Sequence, residues 1–419
     1  MKIDLSRSEF QCRDGWGRRL GSLIAVAALT LTLAPRASAD VEVGLIAPMS
    51  GPWARQGEVM KIAADMAVDA VNKQGGIKSM GGAKLKLVVF DAGESVEKAK
   101  NAAQRMVAEN PSLVVATGAY LSSFTLAVTE VTERARLPVV TFSYSDQITS
   151  RGFKYVFQTS ATGNQQAEGS LPALVEMAEK ATGIRPKTVG IVMDNTAASV
   201  AFVKPIREHQ LEKLGLKLVV DETFTPPLAN ATPLIQRVRS ARPDILLLLP
   251  TAISDAKLLL EKMNEFGLGR GKVPTISNGA AILDPDLRAN MNLEQLEGVM
   301  SVVADWPTRS QKGFVDEVKA RTGQPWPTQH FVTTYGDVLI FKAALERAGK
   351  ADREAVAQAL RGLDLSDGPA AYFAGGRVKF DENGRREGAG LLIVQWQKGV
   401  PVTVYPAKDA VGEPLWPKR

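Results

Sequence analysis

The amino-acid sequence predicts an α/β protein built from parallel β-sheets with helices on both faces. Short apolar runs alternate with amphipathic helical patterns, and the same alternation repeats further along the chain. The chain has 419 residues, which leaves room for two large domains at roughly 150 residues per domain. Alternation of this kind is typical of βαβ units, whose crossover helices cover a parallel sheet.

The first block of this pattern begins after residue 40. Over Glu58 to Asn72, apolar residues recur every three or four positions, which indicates a helix with one buried face. Gly75 and Gly76 follow, and glycine favours a helix end. The predicted strands of this block are Val41 to Ala47, Leu85 to Phe90, Leu113 to Thr117 and Pro138 to Thr141. The predicted helices are Glu58 to Asn72, Val96 to Glu109 and Ser123 to Ala135.

The second block repeats the pattern, and a mixed region follows it. Its predicted strands are Thr188 to Met193, Leu216 to Phe224, Ile245 to Leu249 and Val273 to Ile276. Its predicted helices are Ser199 to Leu214, Thr232 to Ser240 and Ser254 to Phe266. The mixed region predicts a strand at Val299 to Val303, helices at Gln311 to Arg321, Phe331 to Ala348 and Asp352 to Arg361, and a hairpin. The hairpin strands would be Arg377 to Phe380 and Leu391 to Gln397, joined by a turn from Asp381 to Gly384.

Two segments of the chain resemble each other. Each runs from a proline through an apolar strand, a polar loop with serine and a helix, and returns at a second proline. The first lies between Pro111 and Pro138, and the second lies between Pro243 and Pro274. Either any two βαβ units look this much alike, or the chain holds two lobes of one plan that face each other across a cleft.

Residues 1–39 predict a cleavable signal peptide. Basic residues precede an apolar stretch from Leu20 to Ala34, and Ala37 and Ala39 form a small-residue cleavage site. Cys12 is the only cysteine and leaves with this leader, so disulfides and thiol chemistry are excluded. No other apolar run approaches the ~20 residues that a membrane crossing needs. An exported, soluble protein is therefore expected.

The composition argues against several classes of function. The net charge is +6, but no basic run is interleaved with aromatic residues, so no nucleic-acid partner is expected. No nucleophile–base motif occurs, which predicts no enzyme and no catalytic residues. His209 and His330 are isolated in the sequence, so no metal site is predicted. No cofactor is predicted, and a monomer is expected.

Several motifs together resemble one known family. They are Ile46 to Gly57, Ala70 to Ile77, Ser122-Ser123, Thr149 to Gly152, Met193-Asp194 and Thr333 to Tyr335. In this order they resemble the leucine/isoleucine/valine-binding family of periplasmic receptors of ABC transporters. The resemblance implies a type I periplasmic-binding fold, a periplasmic location, and delivery of a small-molecule solute to ABC permease membrane subunits.

The resemblance also implies how the chain divides. Two Rossmann-like parallel-sheet lobes would be joined by three crossover segments, with the ligand cleft between them. Residues 40–160 and 301–370 would form the N-lobe, and residues 161–300 and 371–419 would form the C-lobe.

The candidate ligand-binding residues follow the predicted strands, because ligands in open α/β sheets lie beyond the carboxyl ends of the strands. They are Trp53, Gln56, Tyr120, Ser122, Ser123, Phe142, Ser143, Tyr144, Asn195, Thr251, Ser277 and Asn278. Ser122 and Ser123 stand where a helix begins, a position that suits a solute carboxylate. The alternative is that one of these serines only caps the helix.

The nature of the solute stays open at this stage. Relative to the family, aromatic residues are replaced near Ala198 and Thr251, and the acid expected near Asn278 to meet an α-ammonium is missing. Either another acid pairs with the amine, or the solute has no amine, as in aromatic or short organic acids. The candidate acids are Asp146, Asp194 and Asp305.

The sequence thus predicts a periplasmic solute-binding receptor of an ABC importer, which captures a small carboxylate-bearing solute by hinge closure. The alternatives are a periplasmic ligand sensor of the same fold that acts on a signalling partner, and a secreted hydrolase. The hydrolase stays an alternative because acidic residues are plentiful.

Overall fold

The computed structural model describes residues 39–416, so the predicted signal peptide lies outside the described residues up to Ser38. The strands are β1 (Val41–Ala47), β2 (Leu85–Asp91), β3 (Val115–Gly118), β4 (Val139–Thr141), β5 (Val156–Gln158), β6 (Thr188–Asp194), β7 (Lys217–Phe224), β8 (Ile245–Leu249), β9 (Thr275–Asn278), β10 (Met300–Val303), β11 (Asp364–Leu365), β12 (Val378–Lys379), β13 (Leu392–Gln397) and β14 (Val400–Tyr405).

The helices alternate with these strands. They are α1 (Ala54–Lys73), α2 (Val96–Glu109), α3 (Ser122–Arg134), α4 (Gly163–Thr182), α5 (Ala197–Pro205), α6 (Leu211–Leu214), α7 (Thr232–Ala241), α8 (Ile253–Glu265), α9 (Pro285–Asn290), α10 (Leu293–Leu296), α11 (Lys312–Thr322), α12 (Gln329–Ala348) and α13 (Arg353–Arg361). Within residues 39–416, no helix has the length and apolar character that crossing a membrane requires.

The strands form two large sheets with the same order. The first is five-stranded, in the order β2-β1-β3-β4-β5, and its pairings are parallel. In the seven-stranded second sheet, β7-β6-β8-β9-β10 repeats that order in parallel, and β13 and β14 add an antiparallel edge. The segments β3-α3-β4 and β8-α8-β9 therefore hold equivalent places, as expected for two lobes of one plan. The predicted α/β fold class is confirmed.

Each sheet is covered by helices on both faces, as parallel sheets generally are. In the first sheet, Val43 and Leu45 pack in a core with residues of α1 and α12, while Ile46 packs in a separate core with residues of α2 and α3. In the second sheet, Val192 packs with residues of α7 and α8, and Ile191 packs with residues of α4 and α5. Strand residues thus face one helix layer or the other, and the loops after the strands lie at the open ends of the sheets.

Three segments connect the two sheets. The chain passes to the second sheet at 159–162, between β5 and α4. It leaves after β10, which pairs with β9, and reaches α12 of the first lobe. It returns at 381–391, because Val378 and Phe380 still pack in a core with first-sheet residues. The lobe boundaries stay a proposal. The pairing of β10 with β9 and the packing of Val378 and Phe380 favour connecting segments at 304–328 and 381–391 over boundaries at 301 and 371.

The predicted hairpin is wrong. Strand β12 pairs with β11, and β13 pairs with β10 and β14. The turn itself forms, since the Gly384 amide donates to the Asp381 carbonyl at 3.0 Å. The chain beyond it then bonds to the end of β5, where the Gln158 amide donates to the Gly384 carbonyl and the Arg386 amide donates to the Gln158 carbonyl. The turn therefore docks on the first sheet and does not lead into a hairpin partner.

Two helices differ from the sequence prediction. Helix α4 was not predicted, and the predicted helix Ser199 to Leu214 is interrupted. Gly163 and Pro172 disfavour a helix in isolation, but a Cβ on Gly163 would lie 2.9 Å from the Cβ of Ala201, so this glycine permits close packing of α4 on α5. The predicted helix Ser199 to Leu214 contains a π-helical turn, Ile206–Gln210, that begins directly after Pro205. Proline has no backbone N–H to continue the regular ladder.

A buried arginine ties the connecting segments together. The guanidinium of Arg386 donates to the carbonyls of Ala374 and Arg377 at 2.9 and 3.0 Å, and also to the carbonyl of Thr159. Its Nη2 lies 4.0 Å from a carboxylate oxygen of Asp305, and both side chains are almost fully buried. Burial raises the pKa of Asp305 to about 6, and the attraction of Arg386 opposes this rise. Residues from all three connections thus meet at one charge pair.

The substitution Arg386→Met should destabilise the fold strongly. It leaves Asp305 without its buried counter-charge, and breaking a buried pair in this way costs about 3–5 kcal/mol. The matched control is Arg377→Met, which removes an exposed ion pair with Asp364 and should lower the free energy of unfolding far less, because exposed ion pairs contribute little. Urea unfolding measures both free energies. Equal losses for the two variants would contradict the structural role of Arg386.

Candidate functional site

The chain reverses sharply where β3 ends. Gly118, Ala119 and Tyr120 all have positive φ angles, of 123°, 65° and 49°. A Cβ at Gly118 would lie 1.9 Å from the carbonyl oxygen of Ile46, so only glycine fits there. Positive φ is uncommon for other residue types, and such strained conformations cluster at functional sites. The reversal places Tyr120 at the carboxyl end of the first sheet, directly before α3.

A small cavity lies between the carboxyl ends of the two sheets. Its volume is about 40 Å³, which is room for only a few water molecules. The structure brings seven of the predicted site residues together around it. They are Tyr120, Ser122, Phe142, Ser143, Tyr144, Thr251 and Asn278.

The other five predicted residues do not line this cavity. Trp53 is buried and packs edge-on against Phe124 with ring centroids 5.7 Å apart. The Gln56 amide donates to the carbonyl of Thr251 at 3.3 Å, beside the cavity. Asn195 is exposed and donates to Thr225. Ser123 is half-buried and Ser277 is buried. A part in ligand binding stays a prediction for all twelve residues.

The hydroxyl of Ser122 has one hydrogen left to donate. Its oxygen accepts from the backbone amides of Tyr144 and Ser145 at 3.1 and 3.0 Å. With both lone pairs engaged, the O–H remains available as a donor. No side chain caps α3, whose cap position is Leu121, so the capping interpretation of the two serines is wrong. Ser122 opens the first turn of this helix, where free amides and the helix dipole favour an anion.

Asp194 fixes the loops of the second lobe. One carboxylate oxygen accepts from the amide and hydroxyl of Thr196 and from the hydroxyl of Ser199, at 2.7–3.1 Å. The other accepts from the amide and hydroxyl of Thr251, both at 2.7 Å. A carboxylate offers about four acceptor positions, so five donors saturate it. Asp194 therefore holds the ends of β6 and β8 together and has no lone pair left for a solute ammonium.

The remaining candidate acids do not line the cavity. One carboxylate oxygen of Asp305 accepts from the Ala374 amide at 2.6 Å and lies 4.0 Å from Arg386, while its Oδ2 is buried without a hydrogen-bond partner. Asp146 accepts from the Asn164 amide at 3.3 Å. Among the described residues, no aspartate or glutamate lines the cavity. The cavity wall thus offers no carboxylate to a solute amine.

Two residues that the sequence patterns did not single out as ligand-binding stand at the start of α12. The Gln329 side-chain oxygen accepts from the Tyr144 hydroxyl at 2.6 Å and from the Ala304 amide at 2.8 Å. His330 is almost fully buried and lies edge-on to Tyr120, with ring centroids 4.9 Å apart. Burial lowers the pKa of His330 to about 3, so its imidazole is neutral. The one signal for them in the sequence was their position directly before the predicted helix Phe331 to Ala348.

Direct contacts join the lobes across the cleft. The Tyr120 hydroxyl donates to the carbonyl of Thr251 at 2.9 Å. The guanidinium of Arg55 lies 3.4 Å from Asp286 and 3.9 Å from Asp284. Burial raises the pKa of Asp284 to about 6, against the attraction of Arg55. These contacts, together with the small cavity, describe a shut cleft.

Comparison with known proteins identifies the family. The profile of the family described as "Periplasmic binding protein" matches residues 40–400. The chain therefore belongs to this family, and the predicted type I periplasmic-binding fold and resemblance to the leucine/isoleucine/valine-binding proteins are confirmed. A Leu/Ile/Val-binding protein homolog 8 of Brucella melitensis is 28% identical over 408 residues, covering 94% of this chain and 97% of the relative.

Two solved structures illustrate the shared fold. The branched-chain amino acid transporter substrate binding protein LivJ from Streptococcus pneumoniae, in complex with isoleucine, has a TM-score of 0.73 at 17% identity, covering 87% of this chain and 99% of the other. A solute binding protein of an ABC transporter from R. palustris, in complex with benzoate, has a TM-score of 0.74 at 17% identity, covering 89% and 98%. These likenesses concern the fold.

The substitution Asp194→Ala should loosen the loop after β8. The Thr251 amide would lose its acceptor, and an orphaned buried donor costs about 1–3 kcal/mol. Amide hydrogen exchange at Thr251 should therefore rise by about tenfold or more, while the core of β8 stays protected. Asp221→Ala is the control, because it removes only an exposed pair with Arg207. Unchanged exchange at Thr251 would contradict the assignment.

Proposed function

We propose that this protein is the periplasmic solute receptor of an ABC importer, which binds a small carboxylate-bearing solute between its lobes and delivers it to a membrane permease. The observation that most supports the proposal is the free O–H of Ser122, at the first residue of α3 and on the wall of the cleft. A hydroxyl donor beside free helix amides is a good partner for a carboxylate.

Hinge motion about the three connections would open and shut the cleft. The cavity of about 40 Å³ in this shut state has room for only a few water molecules. Entry of solute therefore requires the contact between Tyr120 and Thr251 to separate. A bound solute would then bridge groups of both lobes and favour a state in which the lobes close around it, because a ligand shifts a population toward the form it binds better.

The comparisons supply two ligand classes for the proposal. One structural neighbour is described in complex with isoleucine and another with benzoate. Both ligands have a carboxylate, which is the group that the Ser122 end of the cleft fits. The proposal therefore rests on the carboxylate and leaves an amino acid and an aromatic or organic acid as the two solute classes.

Native mass spectrometry of the purified protein tests this proposal. We expect an adduct of one small carboxylic acid, which is released when the protein is denatured. Uptake of the same labelled acid by intact cells should fall when the gene is deleted, because delivery to the permease requires the receptor. A protein that binds no carboxylic acid, either as purified or after stripping and re-addition, would contradict the proposal.

The substitution Ser122→Ala should weaken binding of the identified solute by about tenfold or more, since a hydrogen bond to a charged group contributes about 1.5–3 kcal/mol. Isothermal titration calorimetry measures the affinity. Ser123→Ala is the matched control. Ser123 was also a candidate ligand-binding residue, but it is the next residue of the same helix and lies outside the cavity lining. Ser123→Ala should leave the affinity within about twofold. Equal affinities for the two variants would remove Ser122 from the carboxylate site.

A further inference from the structure

Most hydroxyl groups around the cavity already have partners inside the protein. The Tyr120 hydroxyl donates to the Thr251 carbonyl, and the Tyr144 hydroxyl donates to Gln329. The Thr251 hydroxyl donates to Asp194. The bond from Tyr120 to Thr251 crosses the cleft, and each of the other two lies within one lobe. These three hydroxyls therefore have no hydrogen left to donate to a solute, whereas Ser122 has one.

His330 differs from these groups. It lines the cavity, is 3% exposed, and its imidazole forms no hydrogen bond with any residue between 39 and 416. Its Nδ1 is buried without a partner. A buried polar atom without a partner is unfavourable, so a solute group that pairs with the imidazole would be selected. A neutral imidazole has one donor and one acceptor, and a hydroxyl matches either.

The walls next to His330 are aromatic. Tyr120 lies edge-on to the imidazole, and Phe142 is tilted against it with ring centroids 5.9 Å apart. Tyr144 completes this side of the cavity. Aromatic rings prefer edge-to-face and offset contacts with another ring. These walls therefore suit a flat unsaturated ring better than a branched aliphatic chain.

The charges around the cavity exclude one group from the solute. No aspartate or glutamate lines the cavity within the described chain, and the nearby carboxylate of Asp194 is saturated by five donors. A buried ammonium here would have no carboxylate in the cavity wall to pair with, which is costly. The carboxylate of a solute, in contrast, can meet Ser122 and the amides of α3.

Resting on the proposed function, we propose that the solute is a hydroxylated aromatic carboxylic acid without an ammonium group. Its carboxylate meets Ser122 and the start of α3, and its ring hydroxyl meets His330. His330 is then the residue that distinguishes the hydroxylated acid from the unsubstituted one, and the missing acid is what excludes amino acids.

Calorimetry of the wild-type protein with the three monohydroxybenzoates, benzoate and isoleucine tests the solute class. At least one hydroxybenzoate should bind about tenfold or more tightly than benzoate, because a site that pairs with a solute hydroxyl discriminates against the analogue lacking it. Isoleucine should give no binding heat. This measurement needs no variant, so it decides the solute class even if a substitution in the site fails to fold.

The role of His330 is tested by His330→Phe and His330→Asn. The phenylalanine variant should bring the hydroxybenzoate affinity to that of benzoate and leave benzoate affinity unchanged within about threefold. The asparagine variant retains a donor and an acceptor and should keep part of the preference. The control is His209→Gln, at the exposed second histidine, which should bind like the wild type.

Each contrary result has a distinct meaning. Isoleucine binding without hydroxybenzoate binding overturns the inference and leaves the receptor function intact. A preference for the hydroxyl that survives in His330→Phe overturns the role of His330. Failure of all these acids to bind overturns the inference as well. In that case a different co-purified acid keeps the receptor function, and the absence of any bound acid removes both.

Discussion

The hydrogen bond from the Tyr120 hydroxyl to the Thr251 carbonyl joins the two lobes at the point where the rest of the site is organised. On one side it depends on the reversed backbone after β3, where Gly118 alone tolerates the approach of Ile46. On the other side it depends on Asp194, which holds Thr251 by two hydrogen bonds. Strands β3 and β8 occupy equivalent positions in the two sheets, so the contact joins corresponding loops of two similar lobes.

The contacts across the cleft differ in kind from those at the three connecting segments. The contacts across it include the partly exposed ion pairs of Arg55 and the packing of Ala252 among residues of the first lobe. Exposed ion pairs contribute little to stability and break readily. The connections, in contrast, meet at the buried pair of Arg386 and Asp305. The proposed hinge motion needs a connection that stays intact while the contacts across the cleft separate. With such an arrangement, binding of a small solute can shift the equilibrium between the open and the shut state.

Much of the fold could be predicted from the sequence, because apolar periodicity reports which face of a helix or strand is buried. Helices such as α2 and α13 agree with the predicted bounds within one residue. The helix α4 could not be predicted, since Gly163 and Pro172 fit only in the context of its neighbours. The site was predicted as a set of loops, but saturation of Asp194 and isolation of His330 are properties of tertiary contacts. Neither has a signature in the local sequence.

The measurement that tests the central claim most directly is the distance between the lobes with and without solute. Cys12 is the only cysteine and belongs to the predicted leader, so spin labels can be placed at Glu97→Cys on α2 and Gln236→Cys on α7, both exposed positions. Electron–electron double resonance should show a broad or longer distance for the solute-free protein and a single shorter distance once solute is bound. An identical distance distribution in both samples, with binding confirmed by calorimetry, would contradict closure of the lobes around the solute.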